Sequence, residues 1–65
     1  MKSFDENLRY FRQMAKLSQR KLGDLLGFSA RTVSDWECNN TEPDYKTLKL
    51  IVKVLNVSFD ELFDY

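Results

Sequence analysis

The polar residues of this 65-residue chain are suited to recognition rather than to bond breaking. There is no histidine, and Cys38, the one cysteine, has no second thiol or imidazole to work with. Neither a nucleophile–base couple nor a metal-ligand cluster can be assembled from such a set, and no glycine-rich phosphate loop is present. What remains is hydrogen bonding to the polar edges of a partner, and the segment ARTVSDWE, residues 30–37, concentrates it. With Val33 and Trp36 turned inward, helical spacing places Ala30, Arg31, Ser34 and Asp35 on the outer side and Thr32 toward the flank. A guanidinium such as that of Arg31 can donate two hydrogen bonds to guanine O6 and N7. A carboxylate such as Asp35 can accept from a cytosine amino group but is repelled by phosphate, and a methyl such as Ala30 can touch that of thymine. Taken alone, the same face reads as an ordinary solvated helix surface.

That face is useful only if something holds the helix, and the residues just before it are arranged to do so. Ser18 precedes Leu22, Leu25 and Leu26 at helical spacing and can cap the first turn, with Leu17 and Leu22 at staple positions. Gly27 follows the last of these leucines, where a left-handed residue commonly ends a helix. Two residues on, Ser29 can cap the next helix, flanked by a second staple pair, Phe28 and Val33. Gly23 sits in the middle of the earlier helix, where glycine costs about 1 kcal/mol relative to alanine, so close approach of the second helix is expected to offset it.

The run LSQRKLGDLLGFS, the helix ARTVSDWE, Arg12, a loop ending at Pro43 and the closing LKLIVKVLNVSFDEL together resemble the phage repressor and Cro-like (XRE-type) family of helix-turn-helix DNA-binding regulators. The resemblance covers nearly the whole chain and implies an all-α, compact five-helix repressor-like domain spanning 1–65. Helices are expected at about 4–15, 19–26, 30–37, 45–55 and 59–64. It implies that Ala30, Arg31, Ser34 and Asp35 face the major groove and that Gln19 holds a backbone phosphate, with Arg20 and Lys21 as lesser candidates. It also implies that Arg12 pairs with Glu37, as a structural ion pair first and as a presenter of Arg12 to a phosphate second. Where family loops often clamp phosphate with lysine or arginine, this one offers Asn39, Asn40 and Thr41, with Glu42 beside them. Amides and a hydroxyl can still bond phosphate oxygens, but fewer counterions would be released, so binding should be weaker and less salt-dependent. Thr32 and Lys46 complete the expected backbone contacts. The family's dimer contact frequently follows helix 4, which makes Phe59, Phe63 and Tyr65 the interface candidates; core filling in so small a domain is the competing role for them.

The rest of the chain fits one small globule. Hydrophobic residues make up 43%, with five Phe, three Tyr and one Trp, enough to pack a core rather than remain disordered. Ser3 with Glu6, and Ser58 with Glu61, have the S-x-x-E form of capping boxes. Asp44 can cap the fourth helix, whose inward stripe is Leu48, Ile51, Val52 and Leu55. Asn39 and Asn56 tolerate left-handed turns. Net charge is zero, but residues 1–34 carry seven basic and three acidic side chains while 35–65 carry three and seven. Such a dipole can offer its basic half to phosphates while its acidic half limits non-specific binding. No signal-peptide core or run of membrane-spanning length occurs, so a soluble, cytoplasmic protein is expected, without cofactor, metal or small-molecule ligand. The expected function is sequence-specific binding of double-stranded DNA by a transcriptional regulator acting as a homodimer, weak in solution and formed mainly on DNA. The alternative keeps the fold as a protein-interaction module, such as an antitoxin-like partner, and is favoured by Asp35 on the reading helix and by the charge-poor loop.

Overall fold

A computed structural model describes residues 3–63, and these form five helices in the order α1 (Phe4–Met14), α2 (Gln19–Leu26), α3 (Ala30–Glu37), α4 (Tyr45–Leu55) and α5 (Phe59–Phe63). Short polar side chains start most of them. Ser18 Oγ accepts from the Lys21 amide at 2.9 Å, Ser29 Oγ from that of Thr32 at 3.1 Å, and Asp44 Oδ1 from that of Thr47 at 2.8 Å. At α5 the exchange is reciprocal: the Glu61 amide donates to Ser58 Oγ at 3.1 Å and the Ser58 amide to Glu61 Oε1 at 3.0 Å. Each such cap replaces water at an amide that has no partner within the helix.

α1 stops at Met14, one residue short of the expected end, because Ala15 is already its cap and Lys16 turns left-handed at φ 60°. The Lys16 and Leu17 amides then return to the carbonyls of Gln13 and Arg12 at 2.9 and 3.1 Å. Nothing in the sequence marks Lys16 for that turn, since lysine lacks both the freedom of glycine and the local hydrogen bonding of asparagine. α5 is described to Phe63, so the expected extension to Asp64 lies outside the described residues.

Leu8, Leu22, Leu26, Val33, Trp36, Ile51, Leu55 and Leu62 form the core, to which every helix contributes. Leu48 and Val52 of the expected α4 stripe are only partly buried, and Thr47 on the same helix is buried instead. α2 packs chiefly on α3 and also on α4, while α1 packs on α3 and α5. Asn7 is buried on α1, and its Nδ2 donates to the Leu62 carbonyl at 3.0 Å, joining the first helix to the last.

Gly27 ends α2 at φ 85°, and the Phe28 amide bonds back to the Gly23 carbonyl at 2.8 Å. A Cβ on Gly23 would lie 2.6 Å from the Phe28 carbonyl oxygen. The close approach that demands a glycine is therefore with the backbone of the turn, not with the body of α3. It lets a three-residue connection swing α3 across α2.

Candidate nucleic-acid interface

α3 turns Val33, Trp36 and Glu37 into the molecule and leaves the side chain of Arg31 86% exposed. Ala30, Thr32, Ser34 and Asp35 are half-buried beside it. Arg31 Nε lies 3.5 Å from Asp35 Oδ1, one helical turn along the same face. Thr32 Oγ1 lies 3.0 Å from Ser29 Oγ, at the flank of the helix start. Phe28 closes the other side, its ring edge-on to Trp36 at 5.2 Å.

The C-terminal end of α3 is held by a buried cluster. The Glu37 carboxylate, with none of its side chain exposed, accepts from Arg12 Nε at 2.6 Å and Nη2 at 3.1 Å, while Arg12 Nη1 donates to the Leu17 carbonyl at 2.7 Å. Arg12 is thus bonded through all three nitrogens and 10% exposed in its side chain. Its place is structural, and it has little surface to offer a phosphate. Gln19, the expected phosphate holder at the start of α2, donates from Nε2 to Glu37 Oε1 at 3.1 Å. That bond puts its side chain at the meeting point of α1, α2 and α3, and a phosphate bound there would share it with Glu37.

Arg9 is the member of this cluster that sequence reasoning missed: its Nε lies 3.7 Å from Glu37 Oε1, with 54% of the side chain exposed. Its position three residues before Arg12, hence on the same side of α1, was the available signal. Asp5 and Glu6 line the surface groove beside it, and the hydroxyl of Ser3, hydrogen-bonded to Asp5, holds the Asp5 carboxyl below its ordinary range.

Arg20, Asn39, Asn40, Thr41 and Lys46 are exposed, and Asn39 is left-handed at φ 60°. Phe59 and Phe63 are not the open aromatic surface expected of them. Phe63 stacks on Phe4 with ring centroids 5.2 Å apart and is half-buried because so small a core recruits it, whereas the half-buried Phe59 stacks at 6.1 Å on the exposed ring of Tyr45. Tyr65 lies outside the described residues. Among the described residues, the large apolar side chains most open to water are Tyr45, at 67%, and Met14, at 64%. Leu25, on α2, is exposed as a single surface leucine. Among the described residues no cluster of His, Cys, Asp and Glu could hold a metal ion, and no helix is long and apolar enough to cross a membrane.

A helix-turn-helix family model matches residues 8–62. The chain is 42% identical over 59 residues to the uncharacterised HTH-type transcriptional regulator YqaE of Bacillus subtilis (strain 168), covering 91% of this chain and 51% of that protein. It therefore spans about half the length of that relative. Among solved structures it is similar to the P22 c2 repressor in complex with the synthetic operator 9T, with a TM-score of 0.89, 33% identity, and coverage of 97% of this chain and 96% of that one. Hydroxypropylphosphonic acid epoxidase from S. wedmorenis also matches, with a TM-score of 0.84 and 33% identity. The match takes in 92% of this chain but only 32% of the enzyme, so the likeness concerns one part of that protein.

Proposed function

The chain belongs to the helix-turn-helix family, and on that footing we propose that it is a sequence-specific DNA-binding transcriptional regulator that reads an operator's major groove with α3. The observation that carries the reading is the exposed face of α3, held by the glycine turn at one end and the buried Glu37 cluster at the other. Such a helix can enter a groove as a rigid body. Similarity to a repressor solved on its operator supports the same reading. In it, Ala30, Arg31 and Ser34 meet the base edges with Asp35 beside them on the groove face, and Gln19, Arg20, Thr32, Asn39, Asn40, Thr41 and Lys46 meet the sugar-phosphate backbone. Regulation by occupancy of DNA requires no catalytic step, cofactor or metal, and it places the protein in the cytoplasm with the chromosome.

We further propose that it works as a homodimer. An eight-residue α3 is about 12 Å long at 1.5 Å per residue, enough for only a few base pairs, so one copy cannot select a genomic site. The half-buried Phe59 and the exposed Tyr45 ring stacked on it are the α4–α5 surface available to a second copy.

Selection of bound sites from random duplex DNA, followed by mobility-shift titration at two salt concentrations, tests the reading. A consensus should emerge, and affinity should fall steeply with salt as counterions are released. A chain that enriches no sequence, or whose retention is insensitive to salt, is acting through protein contacts instead.

A further inference from the structure

We propose that Asp35 is a positioning residue for Arg31: it accepts from Nε and so directs the two terminal nitrogens of the guanidinium, rather than its Nε edge, toward a guanine. The inference rests on the DNA-reading function proposed above. It starts from the 3.5 Å separation of Arg31 Nε and Asp35 Oδ1 and from the contrast in their surroundings. The arginine side chain is 86% exposed and the aspartate side chain 27%. A long exposed side chain has many rotamers to lose on binding, whereas a short, mostly covered one has few. The backbone that carries Asp35 is held as well, in the last turn of α3, where its main-chain carbonyl accepts the Asn40 amide at 2.9 Å. The pair therefore has one fixed member and one steered member.

Donor arithmetic makes the steering specific. A guanidinium has five N–H groups; with the one on Nε directed at Asp35, the other four belong to Nη1 and Nη2. The parallel pair at the far end of the group matches the spacing of guanine O6 and N7. Presentation through Nε and Nη2, the other two-bond geometry, is closed to it.

Charge gives Asp35 a second effect. A carboxylate on the face that approaches DNA lowers affinity for every sequence. Because that repulsion is felt at right and wrong sites alike, it lowers overall affinity and leaves their ratio unchanged; the ratio is raised by the steering of Arg31 alone.

The experiment uses the preferred site selected with the parent chain. Arg31→Ala first identifies the base pair at which preference is lost. Dissociation constants are then measured for the preferred site, for that site altered at this one pair, and for arbitrary duplex, with the parent, Asp35→Ala, Asp35→Asn and the Arg31→Ala, Asp35→Ala double variant. Asp35→Ala should lower discrimination at the Arg31 pair by roughly three- to ten-fold, part of what a two-bond contact supplies, while binding arbitrary duplex more tightly. Asp35→Asn keeps an oxygen that can accept from Nε, so it should retain most of the discrimination and lose only the repulsion. Adding Asp35→Ala to Arg31→Ala should lower the ratio no further, because coupled residues are non-additive. Discrimination lost at a different base pair would make Asp35 a base reader in its own right and overturn the inference. So would full discrimination in Asp35→Ala with a melting temperature matching the parent's. A parent chain with no preferred sequence overturns the DNA-reading function and this inference with it.

Discussion

Glu37 has no side-chain surface open to water, yet two Arg12 nitrogens and the Gln19 amide meet its carboxylate. A charge in that position is tolerated only while its partners stay, since desolvation of an unpaired ion costs several kcal/mol. Glu37→Ala should accordingly destabilise the domain by about 3 kcal/mol or more, because Arg12 would remain buried without its counter-charge. Glu37→Gln, which keeps one acceptor, should cost less, and denaturant unfolding of both variants measures the difference. Asp44 illustrates the opposite case, a charge at the surface. The hydrogen bonds from the Thr47 side chain and amide favour its ionised form and hold its carboxyl below the ordinary aspartate range. Its contribution to stability is therefore complete above the unfolded value and is lost as pH falls through the lower folded value, below about pH 4. Unfolding midpoints followed into acid should fall less steeply for Asp44→Asn than for the parent.

Gly23 shows what the helix-turn-helix demands of a single position. A methyl there would lie 2.6 Å from the Phe28 carbonyl oxygen, which is backbone and cannot step aside, so Gly23→Ala should destabilise the fold despite alanine's better helix propensity. In an open helix the same change would stabilise by about 1 kcal/mol, so the sign of the measured change reads the contact directly. The four helix starts with Ser18, Ser29, Asp44 and Ser58 were legible in the sequence because a cap is a local event, settled within three residues. The stops at Gly27 and Asn56 were legible for the same reason, each being a residue type that accepts positive φ. Lys16 was not, since its left-handed turn follows from the path α1 must take into α2 and not from lysine itself. The site divides in the same way. The outward face of α3 follows from periodicity, whereas the bonds of Gln19 to Glu37 and of Asn7 to Leu62, and the stacking of Phe63 on Phe4, join residues 18, 55 and 59 positions apart and leave no trace in local spacing.

In the homodimer proposed above, two copies of α3 share the reading of one operator. A two-fold pair of reading helices in successive major grooves requires a near-palindromic operator with half-site centres about 34 Å apart. Footprinting should show two protected half-sites at that spacing, and Tyr45→Ala, Phe59→Ala should reduce cooperativity between them while leaving binding to a lone half-site unchanged. Protection of a single asymmetric half-site would assign the monomer to DNA. The hydrogen bond from Asn7 to the Leu62 carbonyl also has a kinetic meaning. It closes a loop of nearly the whole chain, and a contact so distant in sequence has the greatest closure entropy to overcome. α5 should accordingly dock after the other four helices and be the first to leave, so that its amides exchange with solvent through partial openings while those of α2 and α3 wait for global unfolding. Asn7→Ala should then raise the unfolding rate and leave the refolding rate nearly untouched, as for any bond formed on the native side of the folding barrier.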